Sequence, residues 1–217
     1  MLLALKKLRL GYDDKTIIKD ASLEIEQGDF ACVVGANGSG KSTLIRGILG
    51  LIKPKSGKIE YGDGLTQTQI GYLPQETKVD ANFPATVEEI VLTGCLGHMK
   101  MRPFYCHSEH HHVHESLKKL GIEHLAKKSF VDLSGGQKQK VLLARSISAT
   151  KKLLVLDEPS NNLDYKSRKD FYKTLAKLNQ EHGLTIIMIT HDLDSADLIG
   201  NKVITIEDGI VREQSNA

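Results

Sequence analysis

Cysteine is scarce in this chain: Cys32, Cys95 and Cys106 are the only three, an odd set with no CxxC pair. That excludes a disulfide framework and suits a reducing compartment. Long apolar runs are missing as well. No stretch approaches the roughly 20 apolar residues that span a bilayer, and the N-terminal MLLALKKLRLGY has too short an apolar run, and no small-residue cleavage site, for a secretory leader. Nor is charge of one sign in excess. With 29 basic residues against 27 acidic, a net +2, no general field recruits nucleic acid or an anionic surface, so partners must be argued from sites. Low-complexity tracts and internal repeats are also lacking. What remains, 217 residues with 40% apolar and 26% charged content, is enough for one packed domain with a subdomain.

The patterning divides the chain in order. Short alternating runs, LLALKKLRL and TIIKDASLEI, read as two strands, pairing antiparallel. Phe30 to Val34 is apolar throughout, as a strand buried on both faces of a mainly parallel sheet would be. A helix is expected from Lys41 to Leu51, stopped near Pro54, followed by a strand at KIEYG. From about Val79 to Phe130 the apolar spacing turns helical, which marks a helical subdomain at about 79–133 within a single domain of residues 1–217. Further buried strands are expected at Leu153–Leu156 and Thr185–Ile189, and a closing hairpin KVITIEDGIV turns at Asp208-Gly209. The fold class is α/β with a helical insertion.

Three motifs carry chemistry. Residues 35–42 read GANGSGKS, a full match to GxxxxGK[ST] placed after a buried strand and before a helix. In such a loop Gly35, Gly38 and Gly40 free the backbone to aim N–H groups at phosphate oxygens, and the helix adds its positive end. Lys41 reaches the β and γ phosphates and the Ser42 hydroxyl ligates Mg²⁺. The segment LLVLDE ends a buried strand in two carboxylates, Asp157 for Mg²⁺ and Glu158 for the attacking water, at the strand end where parallel sheets bind ligands. Then LSGGQ, Leu133 to Gln137, sets Ser134 at a helix N-cap beside Gly135 and Gly136, a second anion site. One nucleotide has one γ-phosphate, so a second such site serves a neighbouring molecule's ATP.

From about Leu8 to Val211 the chain resembles the ATP-binding cassette family, with GANGSGKS as its Walker A loop, LLVLDE as its Walker B strand and LSGGQ as its signature. The resemblance implies a P-loop NTPase fold: a RecA-like, mainly parallel sheet with an N-terminal antiparallel β subdomain and a helical signature subdomain. It implies catalytic roles for Glu158, His191, Gln75 and Lys41 and nucleotide contacts from Tyr12, which stacks on adenine, and from Gly35, Ala36, Asn37, Gly38, Ser39, Gly40, Lys41, Ser42 and Thr43. Ser134, Gly135, Gly136, Gln137 and Asp164 would meet the nucleotide of a partner copy, Asp164 through the segment NNLD. Mg²⁺ would be held by Ser42, Gln75 and Asp157. The implied activity is ATP hydrolysis by a homodimer that closes on ATP and reopens on hydrolysis.

A cassette without a membrane span implies separate transmembrane permease subunits, an extracytoplasmic solute-binding protein acting indirectly, and a place at the cytoplasmic face of the membrane. The segment ETKVDANFPATVEEIVLTG resembles the corresponding region of zinc and manganese importers, with Thr86 as N-cap and Glu88 and Glu89 in the first helical turn. The resemblance leaves open another solute, such as an iron complex, and a cassette ATPase that moves none; no nucleic-acid partner is expected. Two departures stand out: Lys138 and Lys140 follow the signature where many relatives have arginine, and the chain ends at Ala217 soon after its hairpin, which implies no C-terminal regulatory domain. Last, CHSEHHHVHESL holds five of the nine histidines. Ser108 is the expected N-cap of its helix, which then starts between His107 and His110. His110, His111 and His114 read either as a solvated flank beside Val113, Leu117 and Leu120 or as a weak regulatory metal site.

Overall fold

A computed structural model describes residues 1–75, 84–99, 102, 104–161, 163–191 and 199–214. The first residues of the expected helical stretch, up to Phe83, and Asn162 of the NNLD segment lie outside the described residues.

The first strand, β1 (Leu3–Tyr12), pairs antiparallel with β2 (Lys15–Ile18). The expected second strand, TIIKDASLEI, is not one strand. Ile18 and Ala21 are both buried but three apart, an odd spacing that a period-2 ribbon cannot place on one face. The chain therefore breaks at the exposed Lys19 and Asp20: β3 (Asp20–Ala21) leaves for a second sheet, and β4 (Leu23–Ile25) returns to pair antiparallel with β1. The strand expected at KIEYG, β6 (Ser56–Tyr61), also pairs antiparallel with β1.

The second sheet runs β3, β11 (Ile210–Gln214), β10 (Lys202–Glu207), β5 (Phe30–Val34), β9 (Thr185–Ile189), β8 (Leu153–Asp157), β7 (Ile70–Leu73). From β10 to β7 every neighbouring pair is parallel, and β11 closes antiparallel to β10 through the turn at Asp208-Gly209, both at positive φ. Every residue of β5, β8 and β9 is buried, because alternate side chains serve two different cores. Cys32, Leu154, Leu156, Ile186 and Met188 face one; Val33, Leu153, Val155, Ile187 and Ile189 face the other. This two-sided burial is why the three runs carry no polar alternation.

Helix α1 (Lys41–Ile48) packs into the second of these cores with β1. It ends three residues before the expected Leu51. Gly50, at φ 70°, lets its own N–H reach the Gly47 carbonyl (2.9 Å) and the Leu51 N–H reach that of Arg46 (2.8 Å), a glycine stop that closes the helix before proline is met. On the other face lie α2 (Val87–Leu92), α3 (His107–Lys119), α4 (Gly135–Ser148) and α5 (Tyr165–His182), with α2, α3 and α4 packed on one another.

Two N-caps agree with expectation and one does not. Thr86 caps α2, accepting from the Glu89 N–H while Glu89 accepts back from the Thr86 N–H (2.8 Å). Ser134 caps α4 in the same reciprocal way with Gln137. For α3 the cap is Cys106, not Ser108, and His107 is already helical. The frame is set by Glu109, whose carboxylate accepts from the Cys106 N–H three residues back (2.8 Å).

Candidate functional site

Because β5, β7, β8 and β9 are parallel, the segments that leave them emerge at the same end of the sheet. Gly35 to Gly40 follow β5, Gln75 follows β7, Glu158 follows β8 and His191 follows β9. Four stretches far apart in sequence are thus brought together by one topological fact.

In the loop before α1, Gly38 (φ 79°) and Gly40 (φ 111°) stand in the left-handed region. Gly40 is also crowded, since a Cβ there would lie 2.7 Å from Ile18 Cδ1. The loop turns on a Ser39 N–H donating to the Ala36 carbonyl (3.2 Å), and Lys41 Nζ donates to the carbonyls of Gly35 (2.8 Å) and Ala36 (3.0 Å). The Ser39 hydroxyl oxygen is buried and has no hydrogen-bond partner among the described residues, an orphaned polar atom that fits an anion cradle. Ala36, Asn37 and Ser39 line an open cavity together with Thr190 and His191. Ser42, exposed on the first turn of α1, and the buried carboxylate of Asp157 are hard oxygen donors suited to Mg²⁺. Burial, then the neighbouring charge of Glu158, pushes the Asp157 carboxyl above the usual carboxylate range, against the pull of Lys41 and Arg46.

Glu158 is where three of these segments meet. Gln75 Nε2 donates to its Oε2 (2.8 Å), Asn161 Nδ2 donates to the same oxygen, and His191 Nε2 contacts Oε1. A carboxylate held by donors from three segments has a fixed direction, as a base for a positioned water requires. Its backbone sits at φ 47°, immediately before Pro159. Thr43, the last residue of the expected phosphate-contacting run, is buried in α1. At the other flank Tyr12, 39% exposed at the end of β1, accepts through its hydroxyl from Arg46 Nη1 of α1 (2.9 Å).

The signature stands apart from this cluster. Ser134 to Gln137 contribute nothing to the cavity beside the phosphate loop. Gly135 faces open space, and Gly136 lies against Ser167, where a Cβ would come within 3.1 Å of Oγ. Asp164 caps α5, accepting from the Ser167 N–H (3.0 Å) and hydroxyl (2.7 Å), and these bonds hold its carboxyl below the ordinary range. Of the two lysines after the signature, Lys138 places its ammonium 5.8 Å from the centre of the Phe130 ring.

Among the described residues no group of three or more His, Cys, Asp or Glu is placed to hold a metal ion. His110 Nδ1 instead meets Glu88 Oε1 of α2 (2.9 Å). His111 lines a cavity of about 830 Å³ with Glu115, Lys119, Lys152 and Leu184, near the opposite ends of β8 and β9 from Glu158; His114 is exposed. Three residues that motif reading did not single out, Arg46, Gln139 and Asn161 in its contact to Glu158, touch the site. Their partners are set by tertiary packing, and only Asn161, inside the NNLD segment, had any signal.

A family profile described as ABC transporter matches residues 18–161. The chain belongs to the ABC transporter family. Within it, the chain is similar to the high-affinity zinc uptake system ATP-binding protein ZnuC of Bacillus subtilis strain 168, 37% identical over 212 residues, 96% of this chain and 92% of that one. It superposes on CbiO1 of Clostridium perfringens, part of the ABC transporter complex CbiONQ, with TM-score 0.82 and 32% identity, covering 97% of this chain and 86% of the other. A dimeric ATP-binding cassette in a post-hydrolysis state, bound to ADP and Pi, matches at TM-score 0.77 and 29% identity over 98% of each chain. The fold is that of an ABC cassette and the activity class that of an ATPase. No helix among the described residues is long and apolar enough to cross a membrane.

Proposed function

We propose that this cassette is the ATP-hydrolysing subunit of an importer for a divalent metal ion, zinc or manganese. Two copies close head to tail around two ATP molecules, each held by one chain's phosphate loop and the other chain's signature. The cassette binds separate permease subunits at the cytoplasmic face of the membrane, with a solute-binding protein acting on the far side. The observation that carries the catalytic part is the convergence of Gln75, Asn161 and His191 on the Glu158 carboxylate. The metal part rests on the similarity to a zinc uptake ATP-binding protein and on the FPATV-like segment before α2.

In this reading Tyr12 stacks on the adenine and the N–H groups of Gly35 to Thr43 surround the phosphates, with Ser39 supplying a hydroxyl. Glu158 orients a water against the γ-phosphorus and accepts its proton as the new P–O bond forms and the bond to the β-γ bridging oxygen breaks. His191 contacts the γ-phosphate and Lys41 neutralises charge as it spreads onto the phosphate oxygens. Gln75 holds both Glu158 and the water's position. Mg²⁺, held by Ser42 and Asp157 with Gln75 beside them, would screen the phosphates and neutralise the leaving group. Ser134, with the N–H groups of Gly135, Gly136 and Gln137, meets the partner's γ-phosphate at the positive end of α4, and Asp164 stands in the loop facing the partner.

Glu158→Gln is expected to bind ATP with near-normal affinity, accumulate as an ATP-bound dimer and lose most turnover. Steady-state hydrolysis close to that of the parent chain would sink the assignment. For the solute, the cassette assembled with its permease and binding protein should raise its ATPase rate with zinc or manganese; stimulation by a ferric complex instead would move the substrate to iron.

A further inference from the structure

The turn that carries Glu158 is held in an unfavourable backbone conformation. A non-glycine residue at φ 47° crowds its Cβ against the backbone, and the following Pro159 narrows the conformations open to it. Such a turn persists only where its surroundings over-determine it. Three backbone-level restraints are visible. The Glu158 N–H donates to the Ile189 carbonyl of β9 (3.1 Å), and the Asn161 N–H donates back to the Glu158 carbonyl (3.4 Å). The third comes from outside the turn: Gln139 Nε2, on α4, donates to the carbonyl of the buried Pro159 (2.5 Å).

We propose that Gln139 is a positioning residue for Glu158, fixing the turn that aims the catalytic carboxylate to the helix that begins at the signature. Gln139 lies five residues after Ser134 in the same continuous helix, so the open N-terminal end of α4 and the Glu158 turn are joined by one rigid rod and one hydrogen bond. The proposal rests on the reading of Glu158 as the water-orienting base and of the α4 N-terminus as the contact to the partner's ATP. In a head-to-tail dimer, one chain's α4 touches the nucleotide of one site while the same chain's Glu158 acts at the other. The Gln139 bond is then a direct mechanical link between the two ATP sites, and it acts on the rate of the chemical step rather than on ATP capture.

The test uses the purified full chain and two substitutions: Gln139→Met, of similar reach without a donor, and Gln139→Lys, which restores one. Gln139→Met should lower kcat about 10-fold, in keeping with the cost of slight misplacement of a catalytic group. It should leave the Kd for a fluorescent ATP analogue within about 2-fold, and it should move the Hill coefficient of ATP hydrolysis toward 1. Gln139→Lys should recover much of kcat. An unchanged kcat in Gln139→Met overturns the proposal. So does a fall in kcat matched by equal falls in nucleotide affinity and melting temperature, which would mark Gln139 as structural only. Normal turnover in Glu158→Gln would instead remove the reading beneath it, so the two failures are distinguishable.

Discussion

Gly40 combines two demands that no other residue type meets. Its φ of 111° is strained for any side chain, and a Cβ would press on Ile18 Cδ1 at 2.7 Å and Ile17 Cγ2 at 3.0 Å. Gly40→Ala is therefore expected to destabilise the chain by about 2 kcal/mol, a fall of roughly 4–8 °C in Tm for a domain of this size. It should also abolish nucleotide binding, because the N–H groups beside it would swing away; a melt and a binding titration on the same preparation check both. At this scale the sequence is informative wherever chemistry forces a residue type at a fixed offset, as with Lys41 after Gly40 or Glu158 after Asp157. It is silent where the partner is chosen by packing. Nothing in the string LSGGQKQK marks Gln139 as reaching Pro159, twenty positions on, and nothing near Tyr12 points to Arg46.

Helix starts show how a local rule can be right in kind and wrong in frame. Ser108 has the side chain of a good cap, but a helix end is fixed by the pair of residues that satisfy each other, and Glu109 selects Cys106. That choice leaves a measurable mark. Bonds from the Cys106 thiol and N–H, together with the Arg102 guanidinium at 2.6 Å, hold the Glu109 carboxyl down to about 2, against an ordinary value of 4.5. A depressed carboxyl favours the folded state wherever it is ionised, so its contribution is present above about pH 4.5 and drains away as pH falls toward 2. Glu109→Gln should flatten that acid limb, so that denaturant midpoints of the two proteins converge as pH drops from 5 to 2. Midpoints falling in parallel over that range would show that the bonds are not formed in solution. Element type was legible for the long periodic or wholly apolar runs, such as β5, β8, β9 and α4. It was not for β2 to β4, where one apparent strand divides between two sheets because its buried positions change parity.

In the proposed reading the N-terminal ends of α1 and α4 both receive phosphate, and the signature has no share in the cavity beside the phosphate loop. That reading requires a head-to-tail dimer, and complementation tests it. A chain with Lys41→Ala and a chain with Ser134→Arg should each be inactive alone. Mixed, they should regain ATPase activity, because one site of the heterodimer then pairs an intact phosphate loop with an intact signature. If every site were built within one chain, mixing would restore nothing. The α/β class and the site's composition could be read from the motifs, since Walker-type strands must run parallel to bring their ends together. The two-core arrangement could only be half read: apolar runs reveal burial on both faces but not what lies on each.

That arrangement has a consequence for how work moves through the molecule. Leu154 and Leu156 of β8 and Ile186 and Met188 of β9 pack with the core of α2 to α5, and their neighbours Leu153, Val155, Ile187 and Ile189 pack with the core of α1 and the first sheet. Close-packed interiors compress very little. A thrust on the outer helices therefore has no soft layer in which to be absorbed and arrives at the strand tips as displacement, where Glu158 and His191 stand. The sheet is thus a stiff plate with the catalytic side chains mounted on its edge, so a push on the helical face tilts that edge rather than denting the plate.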